Sequence, residues 1–155
     1  MPLNPAQLVG LAALATSCGV ALWRGGRAER LAALIIIAAW FVTPLVERRG
    51  SWLEPQYGVL AVDSLTLAAL AAITLAYRRV WALYAAGFQS VAVLTHIAFL
   101  ADPPALYRAY LYVNFSIGFL LLGALLGGVL FETAPPARLI RRLQRLGVLR
   151  ATPGP

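Results

Sequence analysis

The stretch from residue 57 to residue 101, YGVLAVDSLTLAALAAITLAYRRVWALYAAGFQSVAVLTHIAFLA, decides the fold. It consists of two apolar runs, Tyr57–Ala76 and Val80–Ala101, joined by Tyr77-Arg78-Arg79. Each run is near the ~20 residues that a helix needs to cross a hydrocarbon core of about 30 Å. So short a connection makes the two helices antiparallel neighbours. Three more runs of the same kind lie on either side, Pro5–Trp23, Leu31–Val46 and Ala109–Phe131. The chain is therefore expected to be all-α, a polytopic membrane bundle. Residues 1–134 form the five-span bundle and residues 135–155 a separate basic tail.

Composition supports a membrane protein. Of 155 residues, 61% are hydrophobic and only 12% charged, where a soluble domain carries about twice that charge. All 13 basic residues are arginine. With the abundance of Ala, Leu, Gly and Pro, this points to the codons of a GC-rich bacterial genome. In a soluble protein a net charge of +7 would suggest nucleic acid. Here the arginines flank the spans, so the expected partner is an anionic lipid leaflet.

The same arginines predict orientation. Arg24, Arg27 and Arg30 follow the first run, Arg78 and Arg79 the third, and Arg138, Arg141, Arg142, Arg145 and Arg150 the fifth. The intervening loops carry only Arg48, Arg49 and Arg108, with Glu47, Glu54 and Asp102 beside them. With five spans, ten arginines fall on one side and three on the other. The positive-inside rule then places the N-terminus outside and the C-terminus in the cytoplasm of a bacterial inner membrane. No basic side chain precedes Arg24, so the charged n-region of a signal peptide is missing and the first run is expected to be a retained anchor. The single cysteine, Cys18, excludes an intrachain disulfide and is expected to pack as a small hydrophobe.

Amphipathic aromatic rings prefer the headgroup boundary. Trp23, Tyr77, Trp81 and Phe131 are expected at the inner boundary, and Trp52, Tyr57, Tyr107, Tyr110 and Tyr112 at the outer one. In the fifth run, Gly123 and Gly127 are four apart, a spacing that lets helix backbones approach closely. Pro135-Pro136 then stops the run. Beyond it Leu139, Ile140, Leu143 and Leu146 recur at helical spacing opposite Arg138, Arg141, Arg142 and Arg145. A basic amphipathic helix of this kind lies flat on the cytoplasmic leaflet, its arginines in contact with lipid headgroups.

One constellation carries chemical potential. Asp63 lies six residues into the third run, about 9 Å at ~1.5 Å per residue. His96 and Asn114 are five residues from the corresponding ends of the fourth and fifth runs. A hairpin centred on Arg78–Arg79 sets Asp63 level with Leu94, and a turn near Pro104–Ala105 sets His96 level with Val113. Asp63, His96 and Asn114 are thus expected to share one polar layer, with Gln89 on the face of His96. Trp40, Thr43 and Glu47 form a stripe on the second run, and Tyr107, Tyr110, Asn114 and Gly118 one on the fifth. Converging stripes would line an outward-opening pocket that binds a proton or a small polar ligand. The competing reading is structural, since polar side chains in membrane bundles hydrogen-bond across helices and fix their register.

Other chemistries are set aside. One histidine and one cysteine, near opposite membrane faces, supply neither a zinc set nor a Cys–His nucleophile. No G-x-S-x-G, Walker A, dinucleotide fingerprint or H-E-x-x-H occurs, and no cofactor is expected.

The order Arg27-Ala28-Glu29-Arg30, Tyr57, Asp63, Arg79-Val80-Trp81-Ala82-Leu83, Gln89, Thr95-His96 and Asp102 resembles small multi-span membrane proteins of alphaproteobacteria, sphingomonads among them. The resemblance implies source and membrane location but no activity. The leading expectation is a non-enzymatic accessory, assembly or scaffold subunit of an inner-membrane complex, with a larger complex or further copies of the chain as its expected company. The alternative is a small transporter, channel or sensor working through Asp63, His96 and Asn114.

Overall fold

The computed structural model describes residues 5–48 and 54–132. Five α-helices follow one another: α1 (Pro5–Arg24), α2 (Arg27–Val46), α3 (Tyr57–Tyr77), α4 (Val80–Ala101) and α5 (Pro103–Gly127). A π-helical turn, Gly128–Glu132, continues α5. All five helices are long and apolar enough to cross a membrane, and only 17–33% of each apolar window is buried inside the chain. Leucines, valines and aromatic rings therefore cover the outer surface, with Leu45, Leu75 and Phe131 about four-fifths exposed. A helix that is apolar all round needs lipid or protein on every side.

Each helix packs on the next, and α5 closes back onto α1 to complete a ring. Because five is odd, α1 and α5 run parallel while sequence neighbours run antiparallel. Small residues set the spacing: Ala21, Ala28, Ala32, Ala33, Ala82 and Ala85 are all buried, bringing backbones close where a larger side chain would separate them. Leu70, Leu125 and Cys18 fill the gaps between them.

The turns are tighter than the sequence suggests. The second helix begins at Arg27 instead of Leu31, because Gly25-Gly26 alone reverses the chain. A Cβ on Gly25 would collide with the Ala21 carbonyl oxygen and lie 2.7 Å from the Glu29 Cβ. The fifth helix begins at Pro103 instead of Ala109. Pro103 fits the first helical position, which needs no amide, and Asp102 Oδ1 accepts from the Ala105 amide at 3.3 Å. Between α3 and α4, Arg78 takes the left-handed conformation (φ 49°) and closes the hairpin with its amide on the Thr74 carbonyl. Trp52, Arg49 and the expected tail helix, with Arg138, Arg141, Arg142 and Arg145, lie outside the described residues.

One packing expectation is corrected. Trp81 is buried instead of anchoring at a boundary, because its indole points inward from the first turn of α4. Within the chain it is Gly128 that permits a close approach, since a Cβ there would overlap the Trp81 ring, whereas a Cβ on Gly123 or Gly127 would meet nothing within 4 Å and leaves that face open.

Candidate functional site

Polar side chains gather at the end of the bundle that holds the 47–56 connection. Asp63 on α3 places Oδ2 2.9 Å from His96 Nε2 on α4. Gln89, seven residues before His96 on the same face, donates its amide to Asp63 Oδ1 at 2.9 Å and reaches the Asp63 carbonyl at 3.3 Å. The carboxylate is thus held on both oxygens. An ionised carboxylate only accepts, so the proton in the Asp63–His96 hydrogen bond is assigned to Nε2. His96 Nδ1 then faces the Tyr110 hydroxyl at 3.3 Å, and the Tyr110 ring meets the imidazole edge-on with centroids 5.0 Å apart. Phe99 backs the Tyr110 ring at 4.7 Å.

The result is one chain of contacts, Tyr110–His96–Asp63–Gln89, linking three helices. His96 is 3% exposed and Asp63 20%, so Asp63 is the more accessible member of the pair. Tyr110 holds the place beside His96 that depth counting gave to Asn114. The early start of α5 explains the shift, since a turn centred on Asp102–Pro103 sets His96 level with Ala109. Asn114 instead donates to the carbonyl of Tyr110 within its own helix. Tyr110 is thus half-buried, its ring packed on His96 and Phe99 instead of standing free at a boundary.

A pocket of about 630 Å³ opens over this chain. Glu47 and Gln56, at the ends of α2 and α3, stand at its rim, while Asp63, His96 and Asn114 lie deeper. Gln56 also closes the 47–56 connection, its Oε1 accepting from the Arg48 amide at 2.8 Å. Trp40, Thr43, Tyr107 and Tyr110 supply the walls, so the stripes expected on the second and fifth runs do converge. A smaller cavity of about 120 Å³ continues inward past Asp63, Thr66 and Gln89 to Ile36 and Leu121. Gly118 borders that inner cavity, at the end of the α5 stripe. Among the described residues no three His, Cys, Asp or Glu side chains converge as metal ligands.

A second buried polar contact, which sequence reasoning missed, lies at the opposite end of the bundle. Glu29 is fully buried and its Oε1 accepts from the Trp81 indole at 2.9 Å, while its Oε2 has no hydrogen-bond partner. The Trp81 amide in turn donates to Glu132 Oε1 at 2.8 Å. Glu29 sits among Arg24, Arg27 and Arg30, outside the apolar run that begins at Leu31. Depth counting could have found it, because Glu29 and Trp81 lie equally close to the two turns at that end.

No protein-family model, curated protein or solved structure matches this chain.

Proposed function

We propose that this chain is a non-enzymatic, multi-pass protein of a bacterial inner membrane that binds a small polar ligand from the outer side, as a compact transporter or sensor. The observation that carries the reading is the Asp63–His96 pair beneath an open pocket, fixed by Gln89 and Tyr110. Ionisable groups inside a membrane segment are expensive and typically face a cavity or substrate path. A pair needed only for helix register would not require a pocket of that size above it. The N-out, C-in orientation follows from the arginine distribution and turns the pocket outward. The tail arginines Arg138, Arg141, Arg142 and Arg145 then hold the cytoplasmic leaflet.

The test is a ligand screen by thermal shift on the purified protein, with Asp63→Asn and His96→Gln alongside. The reading requires a compound that stabilises the wild type and has no effect on either folded variant. Stabilisation that survives both substitutions would remove it.

A second reading, an accessory or scaffold subunit of a membrane complex, is favoured by the open Gly123 and Gly127 face. Gentle purification from native membranes with mass spectrometry separates the two. A stoichiometric foreign subunit supports the accessory role, and a homogeneous protein without partners excludes it.

A further inference from the structure

The composition of the pocket wall specifies its ligand further, granted that the pocket is a binding site as proposed above. Among the described residues its charged lining groups are two carboxylates, Glu47 and Asp63, and no arginine lines it. The His96 imidazole is already hydrogen-bonded to Asp63. Among the described residues nothing hydrogen-bonds to or ion-pairs with the Glu47 carboxylate; its backbone amide alone is engaged, with the Thr43 carbonyl. The wall is thus electronegative, and one of its two acids has no internal counter-charge among the described residues.

The rest of the wall selects the kind of cation. Trp40 and Tyr107 supply aromatic rings, and Leu11, Val59 and Leu111 supply apolar surface. Ring faces attract cations electrostatically, tryptophan most strongly, and a pocket combining such rings with a carboxylate suits a substituted ammonium. A bare metal ion would want several oxygen ligands in a tight shell, which a space of about 630 Å³ does not offer. An anion would face two carboxylates, with no arginine among the described lining residues to offset them. We infer that the pocket formed by Glu47, Asp63, Trp40 and Tyr107 binds an organic monocation, a substituted ammonium whose charge lies toward Glu47 and whose alkyl groups lie against the rings. The ammonium belongs either to a free amine or to the headgroup of an aminolipid.

The test places a thiol in the pocket. Val59→Cys in a Cys18→Ser background is reconstituted in nanodiscs of phosphatidylglycerol alone, which carries no ammonium. Two membrane-impermeant thiosulfonate reagents are compared, one bearing a trimethylammonium and the other a sulfonate, each rate normalised to that of Glu54→Cys, an exposed position in the same anionic discs, so that the attraction of the lipid surface cancels. The expected result is a normalised preference of at least tenfold for the cationic reagent, reduced severalfold by Glu47→Gln. Choline should protect the thiol, whereas 3,3-dimethylbutan-1-ol, the same shape without the charge, should not.

Labelling by both reagents without charge preference or choline protection overturns the cation inference and leaves an accessible pocket. Absence of labelling by either reagent, with the thiol reactive after denaturation, overturns the pocket itself and the inference with it. Discs containing phosphatidylethanolamine separate the two sources. Protection there without added choline assigns the ammonium to a lipid headgroup, and protection only by added choline assigns it to a free amine.

Discussion

The indole N–H of Trp81 donates to Glu29 Oε1 at 2.9 Å and ties the first turn of α4 to the first turn of α2. Both residues are buried, and Glu132 accepts from the Trp81 backbone amide at 2.8 Å. One tryptophan thus joins three segments that are 51 and 52 residues apart in sequence. A buried donor left without its acceptor costs about 1–3 kcal/mol. Glu29→Ala and Trp81→Phe should each destabilise the bundle. The double variant should lose less than the sum, with a coupling of about 1 kcal/mol, near the upper range for hydrogen bonds between membrane helices. Glu29→Gln keeps an acceptor and should cost least. Denaturation of the four proteins in one detergent measures the cycle, and strict additivity would show that the hydrogen bond does not hold the two helices.

Gly128 lies against the same indole. A methyl group there would overlap the Trp81 ring, and forcing extra volume into a packed site costs about 1–3 kcal/mol. Gly128→Ala should therefore lower the melting temperature clearly. Gly123→Ala and Gly127→Ala point into open space and should stay within about 0.5 kcal/mol of the wild type. The sharper variant is Gly123→Leu. It should leave the isolated chain intact and disrupt any complex that uses this face, a separation readable by comparing melting with co-purification.

The contrast between these glycines shows where sequence reasoning succeeds and where it stops. The five helices are legible because an apolar run near 20 residues has one stable form in lipid. The Asp63–His96 contact is legible as well, because a two-residue hairpin turn leaves little freedom in which residues lie level. Rotation about each helix axis is not encoded so directly. Polar stripes on the second and fifth runs mark the side that turns toward the pocket, but the opposite ends of the spans carry none, so nothing in the pattern turns Trp81 inward from the boundary. Turn length was the other source of error. Starting α5 at Pro103 instead of Ala109 moved Tyr110 into the place given to Asn114. Glu29 was hidden by its arginine neighbours, since charge counting along a loop does not see that the first turn of a helix can point one side chain into the core.

The polar chain around His96 is unequal in its links. Asp63 serves both Gln89 and His96 at 2.9 Å, while the Tyr110 hydroxyl sits farther off at 3.3 Å. Asp63→Ala orphans two buried partners and should be the most damaging change, at about 1–3 kcal/mol for each group left unsatisfied. Asp63→Asn retains the shape and part of the bonding and should cost less. Tyr110→Phe keeps the packing on Phe99 and the edge-on ring contact, loses only the longest hydrogen bond of the set, and should cost about 1 kcal/mol. Denaturation midpoints give this order. A Tyr110→Phe penalty equal to that of Asp63→Ala would mean that the hydroxyl carries the network.

Orientation has a direct test, because the basic groups sort by bundle end. Arg27 and Arg30 lie in the first turn of α2, Arg78 and Arg79 form the turn between α3 and α4, and Glu132 closes the same end. The pocket, with Glu47 and Gln56, occupies the other. A reporter active only in the cytoplasm should be active when fused after Glu132 and silent when inserted between Arg48 and Glu54. Cytoplasmic loops retain arginine because moving that charge across the membrane is unfavourable. Neutralising Arg24, Arg27 and Arg30 together should therefore yield a mixed population, while neutralising Arg108 alone should change nothing. If the wild type gave the reverse pattern, the pocket would open to the cytoplasm, and its ligand would have to be sought among intracellular amines.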